Sequence, residues 1–89
     1  SRMATKALVV DDSVATRFIL EKMLKELGYE VVQAGNGKEA LDVLKAHGDC
    51  ALALVDWNMP VMNGFDLVCE VRKNAEFGKM KIMMVTTET

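Results

Sequence analysis

The chain has 89 residues, of which 51% are apolar and 27% charged, with 11 Lys and Arg against 13 Asp and Glu for a net charge of −2. That is one small domain, too apolar for disorder and too near neutrality to present a nucleic-acid or anionic-membrane surface. A chain this short buries only about 60% of its unfolded surface, so apolar surface is expected to remain uncovered.

Ala7-Leu8-Val9-Val10 is a short apolar run stopped by Asp11-Asp12-Ser13, which predicts a strand buried on both faces. Residues 1–5 precede it as a tail, and Ser1–Arg2 is compatible with a cloning scar. Ser13 can cap a helix in which Val14, Phe18, Ile19, Leu20, Met23, Leu24 and Leu27 recur at helical spacing. Glu21 and Lys25 form an i,i+4 pair on its outer side, and Gly28 closes it. Tyr29–Ala34 predicts a second strand, Gly35-Asn36-Gly37 a loop, and Lys38–His47 a second helix ended by Gly48. Ala51–Val55 is a third buried strand stopped by Asp56. After breaks at Pro60 and Gly64, Phe65, Leu67, Val68 and Val71 mark a third helix ending near Asn74. Lys81–Thr86 is a fourth strand, three residues before Thr89. Strands with two apolar faces that alternate with helices imply an α/β domain with a parallel sheet and right-handed crossovers.

Minor features have plain readings. Cys50 and Cys69, with one histidine in the chain, supply neither a four-ligand zinc site nor a disulfide scaffold, and read as reduced thiols of a cytoplasmic protein. No run approaches the ~18 apolar residues of a membrane span. Lys6 and Asp11 bracket too short an apolar stretch for a signal peptide. Met59 and Met62 read as loop packing, and the seven methionines as core filler. His47 suits a helix C-terminus. Gly35-Asn36-Gly37-Lys38 lacks P-loop spacing, and Pro60 and Gly64 do not fit the calcium loop that Asp56-x-Asn58 would begin.

The chemistry gathers at strand ends. Strand one ends in Asp11 and Asp12, and strand three in Asp56. Open α/β sheets bind ligands beyond the carboxyl ends of their strands, where the winding direction reverses. If strands one and three are neighbours, three carboxylates converge. Such a group is unfavourable unless it shares a cation or a proton, and an all-oxygen set with room for water suits Mg²⁺.

Three segments carry a family resemblance. They are Leu8-Val9-Val10-Asp11-Asp12-Ser13, the run Asp56-Trp57-Asn58-Met59-Pro60-Val61-Met62-Asn63-Gly64, and Val85-Thr86-Thr87. Together they resemble the response-regulator receiver domain of two-component signalling, most closely the single-domain chemotaxis type, over residues 6–89. The resemblance implies a flavodoxin-like doubly wound sheet of order 2-1-3-4. It implies that Asp56 accepts a phosphoryl group from a histidine kinase or phosphotransfer domain in a Mg²⁺-dependent reaction, with Mn²⁺ as an alternative ion. It assigns metal binding to Asp11, Asp12, Asp56 and the Asn58 backbone carbonyl, and the phosphoryl hydrogen bond and switch to Thr86. Asn58, Thr87 and Glu88 take positions that modulate the site, and Thr87 stands where a small residue is usual. Such a domain carries out its own phosphoryl transfer and dephosphorylation without being a turnover enzyme. An aspartate-nucleophile phosphohydrolase fits less well, because it places a second acid where this chain has Asn58.

The chain departs from the family pattern at its end, since the fifth strand and the last two helices have no counterpart before Thr89. The fifth-strand lysine and aromatic residue are therefore missing, as is the usual output face. The alternative reading is a truncated receiver fragment that acts as an oligomerising or structural unit. Strand four is then an apolar edge and one sheet face has a single helix over it, so a dimer or exchanged assembly is expected.

Overall fold

A computed structural model describes residues 4–86. Four strands and three helices alternate: β1 (Lys6–Val10), α1 (Val14–Glu26), β2 (Glu30–Ala34), α2 (Gly37–Ala46), β3 (Leu52–Asp56), α3 (Gly64–Arg72) and β4 (Lys81–Val85). The sheet is parallel throughout, in the order β2-β1-β3-β4. This is the flavodoxin-like arrangement, and the direction of winding reverses between β1 and β3.

Alternation along each strand divides the apolar residues between two layers. Leu8, Val10, Ala53 and Val55 pack with Ala40 and Leu44 of α2 and Leu67 and Val71 of α3. On the other face, Ala7 and Val9 meet Leu24 of α1, with Leu20, Val31, Leu52 and Leu54 around them. This split explains why β1 reads as an unbroken apolar run.

Local signals mostly set the element boundaries as the sequence predicts. The Ser13 hydroxyl accepts a hydrogen bond from the Thr16 N–H at 3.2 Å, and Glu21 and Lys25 lie 3.3 Å apart. Gly28 has φ 96°, the left-handed value that a helix-closing glycine accommodates. β2, β3, β4 and the end of α2 differ from expectation by one residue, with β3 running Leu52–Asp56 and β4 ending at Val85 before Thr86. Two further boundaries differ for identifiable local reasons. Gly37 belongs to α2, because Asn36 is the cap and its side chain accepts from the Glu39 N–H at 2.8 Å. The third helix stops at Arg72, and a 3₁₀ turn at Ala75–Phe77 follows, capped by Asn74 and burying Phe77.

α1 departs most from its sequence reading. Only Leu24 is fully buried, with Leu20 partly buried beside it, while Ile19, Met23 and Leu27 form an exposed row. The helix lies over β1 and β2. The β3–β4 part of that face therefore stays open, and Met83, the register neighbour of Leu54, is 58% exposed. The methionines are correspondingly mixed: Met59 and Met80 are buried, whereas Met23 and Met83 are not.

Candidate phosphoacceptor site

The adjacency of β1 and β3 brings the strand-end acids together. Val10 and Val55 are register partners, so Asp11 and Asp56 leave the sheet side by side, with Asp12 next along the chain. One carboxylate oxygen from each of the three lies within 4.8 Å of the others. Asp11 is 2% exposed and Asp56 4%, whereas Asp12 is open to solvent.

Each acid is held differently. Asp11 Oδ1 accepts a hydrogen bond from the Ser13 N–H at 2.8 Å, while Oδ2 is buried and finds no partner among the described residues. The Asp11 main chain is tied at both ends. Its N–H donates to Ala34 O at 3.2 Å, and its carbonyl accepts from Arg17 Nη1 at 2.6 Å. Asp56 Oδ1 receives a long bond of 3.4 Å from the Asn58 N–H. Burial pushes the Asp56 carboxyl above its ordinary value, and the negative charges of Asp11 and Asp12 push the same way. The main-chain N–H groups of Asn58 and Trp57 only partly oppose them.

A buried oxygen without a donor and three mutually repelling carboxylates describe a site short of positive charge. An all-oxygen donor set of this kind fits a hard divalent cation.

The surrounding loop follows from close packing. A Cβ on Gly64 would overlap the Asp56 carbonyl oxygen and lie 2.6 Å from Met84 Cε, so only glycine lets α3 begin against the end of β3. Asn63 caps that helix, accepting from the Asp66 N–H at 2.9 Å. The Trp57 peptide is bonded on both sides: its N–H donates to Val85 O at 3.1 Å, and its carbonyl accepts from the Gly64 N–H at 3.1 Å. Val61 has φ 72°, and across it the Met62 N–H donates to Pro60 O at 2.8 Å. That is a tight γ-turn, in a backbone region costly for a β-branched residue. The rings of Trp57 and Phe65 are tilted against each other, 6.4 Å apart, at the partly exposed rim.

The structure thus brings Asp11, Asp12 and Asp56 together, and Asn58 follows directly from the bend after β3. Thr86 is exposed and follows directly after β4, the strand next to β3. Thr87 and Glu88 lie outside the described residues. Sequence reasoning missed Arg17. One signal was available: the first turn of α1 has no acidic residue, and a cation so near a helix N-terminus runs against the dipole, which asks for a specific partner.

The response regulator receiver domain matches residues 7–89 of the chain. The chain belongs to that family. Among its relatives, the chemotaxis protein CheY1 of Helicobacter pylori is 49% identical over 84 residues, a span of 93% of this chain and 68% of the relative. A chemotaxis protein CheY homolog of Campylobacter jejuni is 46% identical, covering 93% of this chain and 65% of the relative. The solved chemotaxis response regulator CheY4 of Vibrio cholerae superposes with a TM-score of 0.89 at 39% identity, over 98% of this chain and 72% of that one. A response regulator receiver protein from Pseudomonas putida gives 0.88 at 28% identity, over 100% and 73%. The receiver domain described here is therefore similar to those of CheY-type chemotaxis proteins, and it spans about two thirds of the two relatives' length. No helix among its described residues is long and apolar enough to cross a membrane.

Proposed function

We propose that this receiver domain accepts a phosphoryl group on Asp56 from a histidine kinase or phosphotransfer domain in the cytoplasm, and that the modified site switches conformation in chemotaxis-type signalling. The observation that carries this reading is a buried, charge-crowded Asp56 beside an unpartnered Asp11 Oδ2. Asp11, Asp12 and Asp56, with the Asn58 main-chain carbonyl, are the residues that would hold Mg²⁺, with Mn²⁺ the alternative ion. Bound there, the ion supplies compensation for negative charge on the phosphoryl oxygens. An Asp56 carboxylate oxygen forms the new O–P bond in line with the N–P bond of a phosphohistidine. That bond breaks, and its electron pair stays on the imidazole nitrogen. Thr86 donates its hydroxyl hydrogen to the phosphoryl group once it is in place. Asn58, Thr87 and Glu88 take the family's modulating positions and set how long the acyl phosphate lasts. The domain is a phosphoryl acceptor that returns to its starting state by hydrolysis, not a turnover enzyme.

Incubation with Mg²⁺ and acetyl phosphate tests this. A mass gain of one phosphoryl group, localised to Asp56 and accompanied by a change in Trp57 fluorescence, is expected. An undiminished mass gain in Asp56→Asn would refute the assignment.

An alternative reading is favoured by the open apolar face at Ile19, Met23 and Met83. In this alternative reading, copies of the chain associate through that face and the β4 edge, and the chain is an oligomerising or structural unit without productive signalling.

A further inference from the structure

The β1–α1 turn that carries Asp11 and Asp12 is held by one side chain from outside the turn. Arg17 donates from Nη1 to the Asp11 carbonyl at 2.6 Å and from Nε to Gln33 Oε1 on β2 at 2.9 Å. Gln33 in turn donates from Nε2 to Glu21 Oε1 at 2.8 Å, and Glu21 pairs with Lys25 at 3.3 Å. The chemistry permits only one orientation of this relay. A carboxylate accepts only, so the Gln33 nitrogen must face Glu21 and its oxygen must face the guanidinium. The bond from Gln33 is also the largest influence holding the Glu21 carboxyl below its ordinary value, which keeps that end of the relay charged.

The guanidinium makes no ion pair within 4 Å among the described residues. Both acceptors that it bonds are neutral oxygens, and it is not among the influences on the Asp56 carboxyl. Its direct bonds thus go to neutral oxygens rather than to a carboxylate of the acidic cluster. Its planar fork instead links the β1–α1 turn to β2 from the first turns of α1. The tied backbone is the one from which Asp11 sends Oδ1 to the Ser13 N–H and leaves Oδ2 free.

We propose that Arg17 is a positioning residue for the acidic site: clamped by Gln33 and Glu21, it holds the Asp11–Asp12 turn in the geometry that binds a divalent cation. This rests on the cation-binding reading above. Residues that orient a ligand in this way typically change metal affinity by about 10-fold or more when replaced.

The test is a Mg²⁺ titration of the chain followed by Trp57 fluorescence, with Mn²⁺ as a second ion, and with no phosphodonor present. Arg17→Gln is expected to weaken binding by about 10-fold. Arg17→Lys, which keeps the charge but loses the fork, is expected to recover only part of that loss. Gln33→Ala, which leaves Arg17 in place but unclamped, should shift affinity in the same direction by less. In the Arg17→Gln background, Gln33→Ala should have little further effect, because the two act through one link. A purely electrostatic role would instead give full recovery with lysine and no effect at Gln33, and would overturn the proposal. Wild-type affinity in Arg17→Gln would overturn it as well. If Arg17→Gln lacks a cooperative melt, Gln33→Ala and Arg17→Lys decide alone, and wild-type affinity in both counts against the clamp. A wild-type chain that does not titrate at all, or an Asp56→Asn chain that titrates like wild type, overturns the cation reading and this proposal with it.

Discussion

Asp56 is a buried carboxyl, and burial makes its charge costly. Its carboxyl is pushed above the ordinary 3.8 by burial and by Asp11 and Asp12, so over that window the folded state binds more protons than the unfolded state. Stability contributed by this group therefore falls as pH rises from about the ordinary carboxylate value through the raised folded one. In buffer free of divalent ions at neutral pH, Asp56→Asn is expected to melt at a higher temperature than wild type. The difference between the two chains should shrink as the pH is lowered through the window. Thermal melts across a pH series check this, and a variant that melts lower at neutral pH would contradict it. Val61 makes a separate claim at the same scale. Its left-handed φ of 72° strains a β-branched residue whose side chain is mostly exposed and contributes little burial. Val61→Asn, a residue that tolerates this region, should add about 1 kcal/mol, read as a higher denaturant midpoint with unchanged slope.

The start of α3 shows how an element serves the site. Gly64 lets the helix begin in contact with the Asp56 carbonyl, and Asn63 caps it. Asn63→Ala should cost about 1 kcal/mol of stability through the lost cap. Gly64→Ala should cost about 1–3 kcal/mol and also disturb Asp56, because the added methyl has no free space. Denaturant melts paired with acetyl phosphate labelling separate the two, with the cap variant retaining full labelling and the glycine variant losing it. The elements themselves were largely legible in the sequence. Strands buried on both faces write themselves as unbroken apolar runs, and abrupt acids mark their ends, so Asp11, Asp12 and Asp56 stand out in the sequence. What stayed hidden depends on reach across the fold. Asn36 looked like part of a turn because capping and turn formation favour the same residue types. Arg17 meets a carbonyl six residues back and an amide on another strand, and no periodicity records such contacts. The spacing in α1 predicted a helix correctly, but could not say that Ile19 and Met23 stay exposed.

For the molecule as a whole, the two sheet faces are unequal. α2 and α3 cover one, while α1 alone covers part of the other. Ile19, Met23 and Met83 expose more than half of their surface on the less covered side. Apolar area of this kind is stabilised by removal from water at about 25 cal/mol per Å². The 89-residue chain is accordingly expected to scatter light as a species heavier than its 9.8 kDa monomer. The double variant Ile19→Lys/Met83→Lys should shift the mass toward the monomer. A monomeric wild-type chain with a cooperative melt would remove the basis for association.

The doubly bonded Trp57 peptide couples these scales. Its N–H is secured to the last residue of β4 and its carbonyl to the first of α3, one residue beyond Asp56. It behaves as a tie-rod between strand and helix, so a displacement of Asp56 loads both bonds at once. The Trp57 and Gly64 amides should therefore exchange their hydrogens with solvent in concert, and their common rate serves as a built-in gauge of how firmly the pocket is shut.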